Sequence, residues 1–265
     1  MYSLLTQIDP RQVKKTVYHW AYQPYKWLVF LPTLLLSTNL VTLAIAIARS
    51  TGMSKRLWVL PMIWARVNAR VTPVEVKVSG REHIKPGQSY VIVANHLSHF
   101  DILAVYGWLG VDFRWVMKQE LRKVPALGYA CEMLGHVYID RSNPEAAKRS
   151  IDNAKHQLKN GTSIFFFPEG TRSVSGEMLP FKKGAFHLAK ELGLPVLPIS
   201  IRGTHEILPA SSLNLSPGTA ELQIHAPIEV DDETDSDALM MQAREIIKSG
   251  LVTTRAGNSA KRTAH

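Results

Sequence analysis

Residues 27–48, WLVFLPTLLLSTNLVTLAIAIA, run without a single charged side chain. A helix needs roughly 20 mostly apolar residues to cross a bilayer core, so any fold for this chain must dispose of an apolar helix of membrane length. A cleaved secretory leader fits badly. Its apolar part would be shorter and nearer the N-terminus, whereas here 26 residues rich in polar groups come first. Basic residues stand on both sides, with Arg11, Lys14, Lys15 and Lys26 before the stretch and Arg49, Lys55, Arg56, Arg66 and Arg70 after it, so charge gives no orientation. The segment either spans or enters and returns on one face. A return would turn at Pro32 or at the polar run Ser37, Thr38 and Asn39, with a second apolar patch at residues 57–64 in the interface. Trp27, Trp58 and Trp64 suit headgroup depth. The bland alternative is a core helix of a soluble protein.

From residue 74 the pattern changes to short apolar runs alternating with helical ones, which is an α/β signature. Strands are expected at residues 74–79, 90–94, 113–117, 137–139, 163–167, 196–201 and 220–224. The clearest helices are residues 143–159, opened by Asn143 and Pro144, residues 183–192, closed by Gly193 and Pro195, and residues 235–250. Three regions follow: a membrane-anchoring helical region at 1–70, a catalytic domain at 71–251 and a disordered basic tail at 252–265.

The single cysteine, Cys131, permits no intrachain disulfide and gives no reason to invoke an oxidising compartment. It lies in GYACEMLG, which reads as a helix packed into the core rather than as a nucleophile. A working domain facing the cytosol fits best, and the expected setting is the cytoplasmic face of a bacterial inner membrane. The formal charge of +9 calls for an acidic partner. Anionic membrane lipid, a phosphorylated small molecule and nucleic acid all qualify on charge. Nucleic acid is disfavoured because the cations are scattered, no recognition motif occurs and the aromatics fall in apolar runs.

Two clusters carry chemistry. The strand ending at Ala94 runs into NHLSHFD, residues 95–101, at a strand-to-helix junction of the kind where open α/β sheets place their sites. His96 and Asp101 are five apart and meet only if His96 precedes the helix and Asp101 lies in its first turn. The carboxylate would then accept the imidazole N–H, fix its tautomer and stabilise the imidazolium formed on taking a proton. Taken alone, the pair also fits a structural contact. His99 suggests an H-x-x-H metal site, but no third ligand stands at convincing spacing. The second cluster is SIFFFPEGTRS, residues 163–173, in which a buried strand stops at Pro168 and releases Glu169, Gly170, Thr171 and Arg172 into a loop. Arg172 offers a planar fork for phosphate oxygens, Gly170 a close backbone approach and Thr171 a hydroxyl. A tight turn with a Glu169–Arg172 ion pair is the plain alternative. Lys118 and Arg141, each just after an expected strand, extend the basic lining. No phosphate-binding G-x-x-x-x-G-K-[ST] loop and no G-x-S-x-G elbow occurs.

These blocks resemble the 1-acylglycerol-3-phosphate (lysophosphatidic acid) acyltransferases among the glycerolipid acyltransferases. NHLSHFD matches the family's first block, MKQEL and GHVYIDR carry Lys118 and the second block ending at Arg141, FPEGTRS supplies the third, and LPVLPI at residues 194–199 the fourth, centred on Pro198. The resemblance implies a mixed sheet flanked by helices. It implies transfer of a fatty acyl chain from acyl-CoA or acyl-acyl carrier protein to the sn-2 hydroxyl of a lysophospholipid acceptor, 1-acylglycerol-3-phosphate, giving phosphatidic acid in phospholipid biosynthesis, with no covalent enzyme intermediate and no cofactor. It makes His96 the base and Asp101 its partner, and gives Lys118, Arg141, Glu169, Gly170, Thr171 and Arg172 to the acceptor's phosphate. Backbone donors nearby would shelter the oxyanion, and Pro198 would shape the acyl pocket. An acyltransferase for another lysophospholipid or a lyso-aminolipid, and a non-catalytic anionic-lipid binding protein, are the competing readings.

Overall fold

A computed structural model describes residues 22–53, 57–158 and 160–252. The expected basic tail beyond Val252 and the first 21 residues of the anchoring region lie outside the described residues. The apolar stretch forms one long helix, α1 (Tyr22–Ser50), followed by α2 (Val59–Val71). The turn of α1 at Lys26–Phe30 is π-helical and precedes Pro32. A proline there has no N–H to give to residue 28 and its ring crowds that carbonyl, and the wider turn accommodates both.

The chain does not reverse at Pro32 or at Ser37–Thr38–Asn39. Those polar side chains satisfy themselves on the preceding helical turn: Ser37 Oγ and Thr38 Oγ1 donate to Leu34 O at 3.2 and 2.6 Å, and Asn39 Nδ2 to Leu35 O at 2.8 Å. They also receive α2, since Trp64 Nε1 donates to Thr38 Oγ1 at 3.0 Å and Asn68 Nδ2 to Ser37 Oγ at 3.0 Å. The polar run is thus the seam of a helical hairpin whose reversal lies after Ser50. Both ends of α1 are fastened to the same body. Near its start Tyr25 Oη donates to Val71 O at 2.7 Å and Lys26 Nζ to Leu213 O at 3.0 Å. Near its end Thr42 Oγ1 donates to Ala126 O at 3.3 Å and Arg49 Nη1 to Met133 O at 2.7 Å. The helix is long and apolar enough to cross a membrane. One domain holds both ends of it. The helix lies along the domain, with Leu28, Leu35, Leu36, Leu40, Leu43 and Ile47 turned outward in one stripe.

The rest is an α/β domain. In chain order it runs β1 (Val74–Ser79), β2 (Val91–Ala94), α3 (Phe100–Trp108), β3 (Phe113–Lys118), α4 (Leu127–Met133), β4 (Val137–Ile139), α5 (Pro144–Ala154), β5 (Ser163–Phe166), α6 (Gly184–Leu192), β6 (Val196–Arg202), the short α7 (Thr204–Ile207), β7 (Gly218–Ile224) and α8 (Ser236–Leu251). Each strand stands within a residue or two of its expected place, while the helix expected at 143–159 stops at Ala154 and tightens into a 3₁₀ turn. The sheet order is β1-β7-β6-β2-β5-β3-β4. All neighbours are parallel except β6 and β7, so the sheet is mixed. β2 and β5 are buried on both faces, which is why VIVA and SIFF show no polar alternation. Ile92, Phe165 and Leu197 face one core together with α2 and α3 residues, and Val91, Ile164 and Val196 face the other together with α6 and α8 residues. Cys131 is buried on α4, and burial pushes its thiol up to about 12, so it is inert at neutral pH.

At the end of β2 the ladder is continued by a side chain. Asn95 is fully buried, its Nδ2 donates to Ile201 O at 2.9 Å and its Oδ1 accepts from Ile201 N at 2.8 Å. Asn95→Ala would strand both backbone groups without water, at a cost of about 2–5 kcal/mol. The expected result is a clear fall in the denaturation midpoint of the purified protein, and an unchanged midpoint would refute this role.

Candidate active site

Four parallel neighbours, β2, β5, β3 and β4, end along one edge of the sheet, and each delivers residues that the sequence singles out. His96 follows β2, the Glu169–Arg172 loop follows β5, Lys118 closes β3 and Arg141 follows β4. Adjacent strands lie about 4.8 Å apart, so these residues share one short rim.

His96 sits in the loop before α3 and Asp101 in its first turn, the arrangement their spacing requires. His96 Nδ1 lies 2.8 Å from Asp101 Oδ2, and the same oxygen accepts from Leu97 N and Ser98 N, each at 2.9 Å. Because a carboxylate can only accept, Nδ1 carries the proton and Nε2 is left as the basic nitrogen. Asp101 is fully buried, whereas the His96 side chain keeps 15% of its surface exposed, which is what a base needs to reach a substrate. The imidazole stacks on Phe167 at a centroid distance of 3.8 Å and an interplanar angle of 8°, and Phe167 stacks in turn on Trp115 at 5.4 Å. Ring plane and tautomer are therefore both fixed.

Glu169 turns inward. Its Oε1 accepts from His96 N at 2.7 Å and its Oε2 from Leu179 N at 2.8 Å, and it is 4% exposed. With both oxygens committed to backbone amides it braces the His96 loop rather than facing the rim with the candidate phosphate ligands among which the sequence grouped it. Ser173 N donates to His96 O at 3.0 Å and holds the same residue from its other side.

The cations lie beyond. Arg141 Nη1 donates to Gly170 O, and Gly170 adopts φ +74°, a left-handed conformation that favours glycine. Arg172 Nη1 contacts the ring of His99, and Arg141 and Arg172 lie near enough to feel each other's charge. Burial first, then Arg172, holds His99 down at about 4, so it stays neutral and can accept from the guanidinium. That neighbour also makes His99 a poor place for a metal ion, and among the described residues no three His, Cys, Asp or Glu side chains group as metal ligands. Thr171 is exposed beside Gly170. Lys118 Nζ is paired with Glu120 at 3.1 Å on the surface. Pro198 stands in β6 opposite Val93, and strand alternation puts its ring with Val196 and Ser200 under α8, on the sheet face away from the His96 ring stack. That position offers it no part in a pocket beside His96.

Asn95, Phe167 and Trp115 were not singled out from the sequence. Asn95 and Phe167 carried a local signal, one directly before the histidine and the other closing the apolar run before PEG. Trp115 reaches the ring stack only through strand pairing, which a single sequence does not display.

The family model for acyltransferases matches residues 75–202. A chloroplastic 1-acyl-sn-glycerol-3-phosphate acyltransferase of Brassica napus is 34% identical over 192 residues, covering 71% of this chain and 54% of its own. The alpha form of human 1-acyl-sn-glycerol-3-phosphate acyltransferase is 32% identical over 165 residues, covering 62% and 58%. The chain thus spans little more than half the length of the curated relatives it matches. Among solved structures, the 1-acyl-sn-glycerophosphate acyltransferase of Thermotoga maritima superposes with a TM-score of 0.69 at 28% identity, covering 91% of this chain and 94% of that one.

The carboxyl of Glu169 is pushed up to about 7 by burial, against the pull of its two amide donors. The unfolded chain gives up this proton near the ordinary 4.5 and the folded chain near 7. The group's contribution to stability therefore falls as pH rises through that window and is level on either side. Glu169→Gln cannot ionise and should lose that part of the slope. Thermal unfolding measured on both sides of the window checks it, and parallel profiles for the two proteins would remove the assignment.

Proposed function

We propose, from the premise that this chain belongs to the acyltransferase family, that it transfers a fatty acyl chain from a thioester donor to the sn-2 hydroxyl of 1-acylglycerol-3-phosphate, giving phosphatidic acid. One observation carries the reading: the His96 Nδ1 contact to Asp101 Oδ2 at 2.8 Å leaves Nε2 as the base on the same rim as Arg141 and Arg172.

In this reading His96 Nε2 takes the proton of the acceptor hydroxyl as its oxygen attacks the thioester carbonyl. Asp101 stabilises the imidazolium that forms. The tetrahedral adduct collapses with loss of the thiolate, and His96 returns the proton to sulfur, so the new ester and the free thiol balance the reactants. The thioester supplies the driving force, and no cofactor is needed. Arg141, Arg172 and Thr171 would grip the acceptor's phosphate, with Gly170, whose N–H is given to Phe167 O at 3.0 Å, shaping the turn between them, Lys118 at the outer end of the rim and Glu169 holding the loop beneath. Two guanidiniums suit a phosphate monoester better than a zwitterionic headgroup, which favours this acceptor over other lysophospholipids or a lyso-aminolipid. Acyl-CoA and acyl-acyl carrier protein are both anionic donors, and the positive charge of the chain attracts either.

The outward apolar stripe of α1 would lie in the membrane interface, bringing the rim to its lipid substrates. The curated relatives include chloroplastic and mammalian proteins and lend nothing to a bacterial inner membrane as the setting. The chain's own features support a membrane surface.

His96→Ala should lower turnover by about 10²–10⁴-fold with the fold intact, and Asp101→Asn should fall in a similar range because it releases the tautomer. The assay offers both donors against lysophosphatidic acid and other lysolipids and identifies products by mass. Undiminished turnover in His96→Ala would remove the base. Liposome binding without transfer from any donor would favour the non-catalytic lipid-binding alternative.

A further inference from the structure

Two cationic side chains from separate segments meet at Gly170, and a third belongs to its own loop. Arg141, after β4, donates to Gly170 O, and Arg172 follows Gly170 by two residues. Lys182 lies two residues before α6. Its backbone N donates to Pro168 O at 2.8 Å, which pins the start of the side chain to the β5 loop. A Cβ placed on Gly170 would lie 3.1 Å from both Cε and Nζ of Lys182, so the end of this side chain rests over the glycine. Any side chain at position 170 would contest that space.

The charge balance around this group is uneven. Lys118 is paired with Glu120 at 3.1 Å and Lys183 with Asp237 at 2.7 Å. Among the described residues no carboxylate lies within ion-pair distance of Arg141, Arg172 or Lys182. Glu120 and Asp101 reach Arg141 and Arg172 only at longer range, so the positive charge here is incompletely balanced. A ligand with a compact double negative charge completes the balance. A phosphate monoester carries between one and two negative charges at neutral pH and presents three acceptor oxygens. Two planar forks and one flexible ammonium divide such a group between them, the guanidiniums fixing its orientation and the lysine following it as a point charge.

We infer that Lys182 binds the phosphate of the acceptor together with Arg141 and Arg172, and that Gly170 is the opening through which its ammonium reaches that phosphate. This rests on the acyl-transfer reading of the site and adds to it a residue eleven positions beyond the Glu169–Arg172 loop's third member, Thr171.

The test is steady-state kinetics on the purified full-length chain, varying lysophosphatidic acid and thioester donor separately. Lys182→Gln should raise KM for lysophosphatidic acid roughly 10–100-fold, the range of one lost charge-assisted hydrogen bond, with KM for the donor unchanged and kcat within a few fold. Lys182→Arg should restore most of the acceptor affinity. Lys183→Gln, which loses only the surface pair to Asp237, should leave KM for the acceptor as it was. An unchanged acceptor KM in Lys182→Gln, or a loss confined to kcat, overturns the inference while leaving the acyl-transfer reading standing. A wild-type chain inert toward lysophosphatidic acid with either donor overturns both.

Discussion

Asp101 has no exposed surface, and its Oδ2 receives three N–H groups at 2.8–2.9 Å. A carboxylate taken out of water loses several kcal/mol of hydration unless donors replace it. Two of the replacements are backbone amides of the loop that crosses it, and the third is the ring of His96. Loop conformation and buried charge are thus conditions for each other. With the carboxylate gone, Leu97 N and Ser98 N lose their acceptor, and with the loop open the charge is stranded. Asp101 also lies in the first turn of α3, where the positive end of the helix favours an anion. The imidazole is oriented by the same closure that satisfies Oδ2, while Oδ1 is buried without a partner among the described residues.

A second buried carboxylate completes the frame, and strand register explains why it arrives there. β2 and β5 are parallel neighbours with Val93 opposite Phe166. His96 is three residues beyond Val93, and Glu169 is three beyond Phe166, so the two loops leave the sheet side by side. Glu169 then takes the main-chain N–H of His96 while Asp101 takes its ring N–H. One carboxylate fixes where the residue is and the other fixes which way its ring faces. Phe167, one residue past β5, supplies the flat surface on which that ring rests.

Local pattern carried much of this into the sequence. NHLSHFD offered the pair, because five residues across a strand-to-helix junction leave one way for the two side chains to meet, but the family resemblance rather than the spacing made it a dyad. β2 and β5 were legible as unbroken apolar runs because both sheet faces are covered there, and β1 by its alternation. What depends on direction was not legible. Glu169 reads as one of four polar loop residues, and nothing local says that both its oxygens turn to backbone amides. Pro198 sits in a block that belongs to the site by order along the chain, yet the two-residue alternation of β6 sends it to the opposite face. Ser37, Thr38 and Asn39 look like the breaking point of an apolar helix. Their hydrogen bonds back to Leu34 and Leu35 let the helix continue, and the need they answer comes from Trp64 and Asn68 on α2, which a reading of the stretch alone does not include.

The apolar helix and the His96 ring are joined through a loop that belongs to neither. Ser98 Oγ, inside the dyad's loop, donates to Leu208 O at 2.6 Å, and Ser98 and Pro209 form an isolated bridge. Five residues beyond Leu208, Leu213 O accepts from Lys26 Nζ on α1 at 3.0 Å. Lys26 is buried in spite of its charge and lies over the ring of Trp27 at 4.6 Å, so its ammonium is compensated by a carbonyl and an aromatic face. The segment from Leu208 to Leu213 therefore ties the start of α1 to the residues between His96 and Asp101. At the far end of the helix Arg49 ties α1 to α4. With both ends fixed, the outward stripe of α1 cannot tilt without moving the domain that carries the dyad, and the plane in which that stripe lies sets the height of Nε2 above it. For the proposed reaction, whose acceptor and product would both reside in a lipid layer, a fixed height would be worth more than a flexible tether, because it would present the base to hydroxyls at one depth only.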